Sequence, residues 1–316
     1  MWSFIFRRLL LLIPVLFLVS LVSFGLIFVL PGDPAMAMLG PDQVENKQLY
    51  LTLRAQLGLD RPLPVQYLNW LVQVLHGNLG TSIRTNFPVT QLLFQSLGPT
   101  VQLAVLAMII ALVIAVPVGI ISAVRPGSWA DVFTTIGALA GVAIPDFWLG
   151  IMLIFVFSLT LRLLPPSGYV SPAKNWGHSF ELMILPSFTL GTALAAVITR
   201  QIRSAMLETL QQDYVLTARA KGLRERLVVI RHAFRNALIP VLTVIGLQIG
   251  HLMGGVVIAE TIFAIPGMGR LAVDSISFRD FPVVQGVVLV MAVAVLLANF
   301  VTDLLYALVD PRIRYS

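Results

Sequence analysis

Six long apolar runs, separated by more polar stretches of uneven length, set the pattern of the chain. They cover residues 9–30, 99–124, 133–161, 182–199, 236–259 and 281–302. A helix needs about 20 mostly apolar residues to cross roughly 30 Å of hydrocarbon. Backbone groups in lipid must be satisfied within their own segment, so the runs are predicted as helices. The first run follows Arg7 and Arg8, and Ala35-Met36-Ala37 loosely resembles a signal-peptide cleavage site. The apolar core of a secretory signal peptide spans only about 7–15 residues, so this longer run is expected to stay as an anchor. The third run exceeds what a crossing needs, and Asp146 follows Pro145 near its middle. It is expected to tilt or to lie partly outside the hydrocarbon. The pattern predicts an all-α polytopic membrane protein with six transmembrane helices.

Composition agrees with that reading. Hydrophobic residues make up 58% of the chain and charged residues only 11%, against about 25% charged in soluble domains. So few charges cannot cover a water-soluble globule, and such hydrophobicity excludes disorder. The net charge of +6 is read as a topology signal rather than as a nucleic-acid footprint. Arg7, Arg8, Arg125, eight basic residues from Arg200 to Arg235, then Arg312 and Arg314 all fall on one side of the six spans. The other side carries fewer, spread over more chain. Both termini and the loop 200–236 are therefore expected in the cytoplasm. The expected organisation is a cytoplasmic end and first span (1–30), an external segment (31–98), a five-helix core (99–305) and a cytoplasmic tail (306–316). There is no cysteine, hence no disulfide and no thiolate metal site.

The external segment is rich in turn-forming proline and glycine. Tyr67 to Leu75 reads as a short amphipathic helix. It either lies on the membrane with Trp70 at the interface or helps to dock an external protein.

The cytoplasmic loop is more specific. Asp213-Tyr214-Val215-Leu216-Thr217-Ala218-Arg219-Ala220-Lys221-Gly222 reads as a two-turn helix outside the membrane. Asp213 is the expected N-cap, and Gly222 the expected terminator. Arg219 and Lys221 suit the negative end of the dipole. Ala218 and Ala220 are expected to keep its sides thin, so that another protein's backbone can approach. In the fifth span Gly246, Gly250 and Gly254 recur every fourth residue on one face, as in close helix packing or beside a substrate passage. His251 and Glu260 lie on or near that helix, with Glu260 expected in water at the external end.

The motifs of nucleotide, metal and hydrolase chemistry are missing. There is no GxxxxGK[ST] loop, no HExxH and no GxSxG elbow. The fragment Gly267-Met268-Gly269 is read as a turn after Pro266. No cofactor, metal or catalytic residue is expected, and the chain reads as a conduit without an engine.

Several short runs together resemble the membrane permease subunit of bacterial peptide-type ABC importers, the dipeptide, oligopeptide and nickel group. They are Pro31-Gly32-Asp33-Pro34-Ala35, the stretch 57–64, Gly77-Asn78-Leu79-Gly80-Thr81-Ser82 and Phe147-Trp148-Leu149-Gly150. Later come Glu260-Thr261-Ile262-Phe263 with Pro266-Gly267-Met268-Gly269, Arg279-Asp280-Phe281-Pro282 and Asp310-Pro311-Arg312. The resemblance implies the ABC type I importer permease fold and a non-catalytic subunit in a bacterial inner membrane. It also implies partners: a second similar permease, two ATP-binding subunits and an external substrate-binding protein. In such permeases a cytoplasmic glutamate-alanine-alanine loop with a following glycine docks on the ATPase. Leu216, Thr217, Ala218 and Gly222 occupy the matching positions, with Leu216 in place of the acidic residue. Three readings compete with this one. They are an ion-gradient-driven secondary transporter, hinted at only by Asp146 after Pro145, an intramembrane enzyme and a static scaffold.

Overall fold

The computed structural model describes residues 2–29, 34–39, 47–56 and 58–309. Pro31-Gly32-Asp33, Leu57, Asp310-Pro311-Arg312 and the basic Arg312 and Arg314 of the tail lie outside the described residues. In chain order the helices begin with α1 (Trp2–Val29), α2 (Pro34–Leu39), α3 (Lys47–Gln56), α4 (Leu63–Leu75) and α5 (Val89–Val124). Next come α6 (Trp129–Ala143), α7 (Asp146–Leu153) with a π-helical continuation over Ile154–Thr160, and α8 (Trp176–Leu210). Then follow α9 (Asp213–Ala220) and α10 (Glu225–Leu227), whose π-helical continuation Val228–Phe234 leads into α11 (Arg235–Ile262). The last are α12 (Met268–Ser277) and α13 (Phe281–Val309).

Among the described residues, five stretches are long and apolar enough to cross a membrane: Phe6–Phe28, Val89–Val124, Trp176–Leu210, Glu225–Ile262 and Phe281–Leu304. The third run of the sequence is different. It is two helices, α6 and the stretch from Asp146 to Thr160, bent by 101°. Pro145 explains the break. Its ring disfavours the helical region for the preceding residue, and Ile144 is extended at φ −78° and ψ 122°. The excess length of this run is thus taken up by a corner rather than by tilt. The fourth run, marginal by its apolar residues alone, belongs to a 35-residue helix that continues through Arg200 and Arg203. The loop 200–236 is correspondingly shorter than its charge pattern suggests, because helix occupies most of it.

The chain forms two compact units: Met1–Ile5 with Thr100–Ile265 and Leu297–Ser316, and Phe6–Pro99 with Pro266–Leu296. In the first unit α8 is the central helix, with most of its apolar window buried. Lipid is as apolar as leucine, so helices associate there by close packing rather than by the hydrophobic effect. The sequence supplies small side chains for this. Ala107, Ala111 and Ala115 of α5 recur every fourth residue and are fully buried. Opposite them, a Cβ on Gly191 of α8 would stand 2.9 Å from the Ala107 carbonyl oxygen. The same unit contains a polar tie. Asp131 of α6 takes a forked pair of bonds from Arg203 of α8 at 2.6 and 2.9 Å. It also accepts from Ser122 Oγ at 2.5 Å and from the Gly127 backbone N–H at 3.0 Å.

The second unit is built around a different acid. Asp280, 3% exposed, accepts from Ser82 Oγ at 2.5 Å and from the Ile83 N–H at 3.1 Å. Beside it the Arg84 guanidinium stacks on Phe278 at 3.6 Å. Two of the sequence runs quoted above therefore meet here for a structural reason. Asp280→Asn replaces a carboxylate acceptor with an amide, and buried bonds to a charged group are worth about 1.5–3 kcal/mol. The variant is expected to lower the thermal midpoint of the detergent-purified protein by several degrees. An unchanged midpoint would remove Asp280 as the anchor of this unit. The amphipathic helix read at Tyr67 to Leu75 starts four residues earlier, at Leu63. Its Tyr67 and Trp70 pack on Phe24 of α1 at ring distances of 5.5 and 5.8 Å, and the Tyr67 hydroxyl bonds Ser20 Oγ at 2.7 Å. Gly267 precedes α12, so Met268 and Gly269 open a helix rather than extend a turn.

Candidate functional site

An eight-residue helix is too short to be stable alone in water, so α9 needs support from its surroundings. Val215 and Ala218, both buried, pack with Val228 and the partly buried Leu210. Arg219 reaches across the next turn to Glu225 with bonds of 3.2 and 2.7 Å. That carboxylate raises the Arg219 pKa above its usual value, chiefly through these bonds. The Tyr214 hydroxyl accepts from Asn236 Nδ2 at 3.0 Å and donates to the His232 carbonyl at 3.4 Å. The helix is thus tied to α8, to α10 and to the start of α11.

Its ends differ in how well the sequence describes them. Gly222 takes φ +76°, which costs a glycine nothing. Its N–H bonds the Arg219 carbonyl at 2.9 Å and the Leu223 N–H bonds that of Ala218 at 3.4 Å, the paired pattern of a Schellman cap. The N-cap is Gln212, not Asp213. Asp213 is the first helical residue, where its carboxylate suits the dipole without capping a backbone N–H. Ala218 is also corrected. It is 6% exposed and serves the packing of α9 on its own chain, not an approach by another protein. The open face carries Tyr214, Leu216, Thr217, Arg219, Ala220 and Lys221. Leu216 is 51% exposed, the one large aliphatic side chain among these six.

The glycines of α11 divide. A Cβ on Gly246 would lie 2.7 Å from Thr302 Cγ2, so this position is a packing contact with α13. At Gly250 and Gly254 a Cβ would meet nothing within 4 Å. Those two, with His251 between them, face outward from the unit. Gly254 and His251 line a cavity of about 530 Å³ between α6, α7, α8 and α11. Asp146 and Gln248 line it too, and its other walls are apolar. Glu260 is elsewhere and is not in water. It is fully buried, and Thr100 Oγ1 donates to its Oε1 at 2.5 Å. Three residues on, buried Phe263 packs against Gly150 at 3.3 Å from the position of a Cβ there. The runs at Phe147 to Gly150 and Glu260 to Phe263 are thus halves of one packing contact.

Sequence reading missed Asp131 and Arg203. They lie 72 positions apart in what read as separate elements. The only signal available was one carboxylate near the start of an apolar run.

The fold and these two features define the membrane subunit of a transporter: apolar helices around a central one, a cavity within them, and a braced helix beyond their polar ends. Residues 115–315 match the family described as the binding-protein-dependent transport system inner membrane component. Residues 1–104 match its N-terminal counterpart. The chain belongs to this family. It is 43% identical over 340 aligned positions to the dipeptide transport system permease protein DppB of Escherichia coli, both chains being covered in full. It is 44% identical to the glutathione transport system permease protein GsiC of Pectobacterium atrosepticum, again over both full lengths. Among solved structures, the MetNI methionine ABC transporter in inward-facing conformations matches with a TM-score of 0.56 at 19% identity. That match covers 70% of this chain and 97% of the other, and shows a shared fold. The chain is therefore a non-catalytic, multi-pass inner-membrane permease subunit of an ABC importer, working with an ATP-binding subunit and a substrate-binding protein. These findings overturn the ion-gradient alternative.

Proposed function

We propose that the chain forms half of the translocation path for small peptides, and that α9 carries the motion of the ATPases to the spans. A second, similar permease completes the path. Two ATP-binding subunits lie on the cytoplasmic side, where both termini and α9 face, and a binding protein delivers the solute outside. The observation that carries this reading is the bracing of α9. Its inner face is fixed to α8 and to the lead-in of α11, while Leu216, Thr217 and Ala220 stay open to a partner. A push on that open face moves α8 and α11 together, and both line the cavity. Switching between two packings of these helices would open the path first to one side and then to the other. The outward-facing Gly250, His251 and Gly254 form the wall that a second permease closes. The peptide class comes from relatives whose names specify dipeptide and glutathione transport.

The lack of cysteine makes the orientation directly testable. Thr217→Cys is expected to react with a membrane-impermeant maleimide only after the inner membrane of spheroplasts is permeabilised. Labelling in intact spheroplasts would place α9 outside and end this reading. Uptake of a dipeptide by the reconstituted complex with its binding protein and ATP tests the peptide class.

A further inference from the structure

Among the polar groups inside the cavity of the first unit, Asp146 stands apart. It is the first residue of α7, placed there by the corner at Pro145, and it lines the cavity with Gln248 and His251 of α11. Its Oδ2 lies 3.6 Å from where a Cβ on Gly255 would stand, so the carboxylate is turned towards α11, on the face that carries His251 one turn earlier. Asp131 and Glu260 each have close partners within the unit. The Asp146 carboxylate makes no hydrogen bond or ion pair with a described residue. A charge left uncompensated among apolar helices costs about 2.5–3.5 kcal/mol on insertion scales, and such groups mark solute pathways.

The lining has a definite sign. It contains one carboxylate and no lysine or arginine. A cavity of this kind attracts a cationic group and offers nothing comparable to an anion. A volume of about 530 Å³ falls within the range of roughly 300–1,000 Å³ for small-molecule sites, ample for two or three residues of peptide. The apolar walls from Val142, Leu190 and Ile258 suit short side chains. Gln248 can donate to and accept from a peptide group, and the His251 ring can bond a carbonyl or a terminal carboxylate.

Resting on the peptide reading above, we propose that this cavity is a transit subsite in which Asp146 takes the free amino-terminal ammonium of the peptide. Gln248 and His251 steady the rest of the backbone. The glycines have a role here. A side chain at Gly255 would press on Leu190, with its Cβ 3.0 Å from Cδ2, and would crowd the carboxylate. A single carboxylate at an open site binds weakly, which suits a station that must release its solute.

The test uses the purified permease–ATPase complex without its binding protein, so that selection outside the membrane plays no part. The probe is a dipeptide of alanine and a diazirine-bearing leucine analogue, photolysed in place and mapped by mass spectrometry. Labelling is expected around Pro145 or between Gly254 and Ile258. It should compete with alanyl-alanine and fall at least tenfold for the N-acetylated probe, which lacks the ammonium. Asp146→Asn should cause a similar fall and Asp146→Glu should keep most of the signal. Equal labelling by both probes, or no labelling of these segments, overturns the subsite. The comparison of probes on the unaltered chain holds even where a variant fails to fold. Dipeptide uptake by the complete reconstituted system separates the two levels. Uptake without the labelling pattern sinks the subsite alone, whereas no dipeptide uptake sinks the peptide reading beneath it.

Discussion

Leu216→Arg is expected to reduce ATP-driven uptake at least a hundredfold while the permease still accumulates in the membrane. Leu216 is 51% exposed on α9 and lies outside the buried cluster of Val215, Ala218 and Val228, so the substitution spares the packing that holds the helix. If a cleft of the ATPase covers this face, the variant loses the burial of a leucine, worth about 1.5–3 kcal/mol. It also forces an unpaired guanidinium into the contact. Since about 1.4 kcal/mol is a factor of ten, a combined deficit of roughly 3 kcal/mol lowers ATPase affinity more than a hundredfold. Co-purification of the ATPase with the variant permease measures this directly. Retention of the ATPase at the unaltered level, with normal uptake, would show that this face is not the docking surface. The adjacent position gives the contrast. Ala218→Arg puts a charge where Val215, Ala218 and Val228 pack, so that variant is expected to lose α9 itself and to be degraded. The two substitutions, two residues apart, separate docking from folding.

Arg203→Ala is expected to destabilise the first unit by about 3 kcal/mol, near the low end of the range for breaking a buried pair. Asp131 is 8% exposed at its side chain and Arg203 is 32% exposed, so solvent recovers part of the loss on the arginine side but little on the carboxylate. Removing the guanidinium leaves that buried carboxylate with only Ser122 and the Gly127 N–H. Domains of 150–250 residues lose roughly 2–4 °C in Tm per kcal/mol, so the thermal midpoint of the detergent-purified complex should fall by about 10 °C. Arg203→Lys should recover only part of this, because an ammonium cannot reproduce the planar fork. A midpoint within 2 °C or so of the unaltered protein, by that same scaling, would mean that the close approach of Gly141 to Ala196 holds α6 on α8 without the ion pair.

Legibility differs from element to element. The crossings were visible because lipid demands long uncharged runs, and each run corresponds to a helix or to a helix pair. The broken third run left a clue in Pro145, but a proline alone does not specify a 101° corner. The helix at α9 was legible from local chemistry, since Gly222 is suited to a left-handed turn. The wrong N-cap was a one-residue error between Gln212 and Asp213, of a kind that local pattern cannot resolve.

Sequence alone fixes what depends on neighbours along the chain. That includes the apolar crossings, the short helix in a basic loop, the absence of nucleotide and metal motifs, and the family. What needed the fold is every pairing across distance. Asp131 finds Arg203, Asp280 finds Ser82 and Glu260 finds Thr100 because helix packing brings them together from positions 72 to 198 apart. Ala218 turns inward and Leu216 outward because Val228 and Leu210 cover one side of α9. Asp146 enters a cavity because α6 and α7 turn a corner against α8 and α11. Spacing along a chain sets which residues share a helix face, but only the packing of that helix decides which face is covered.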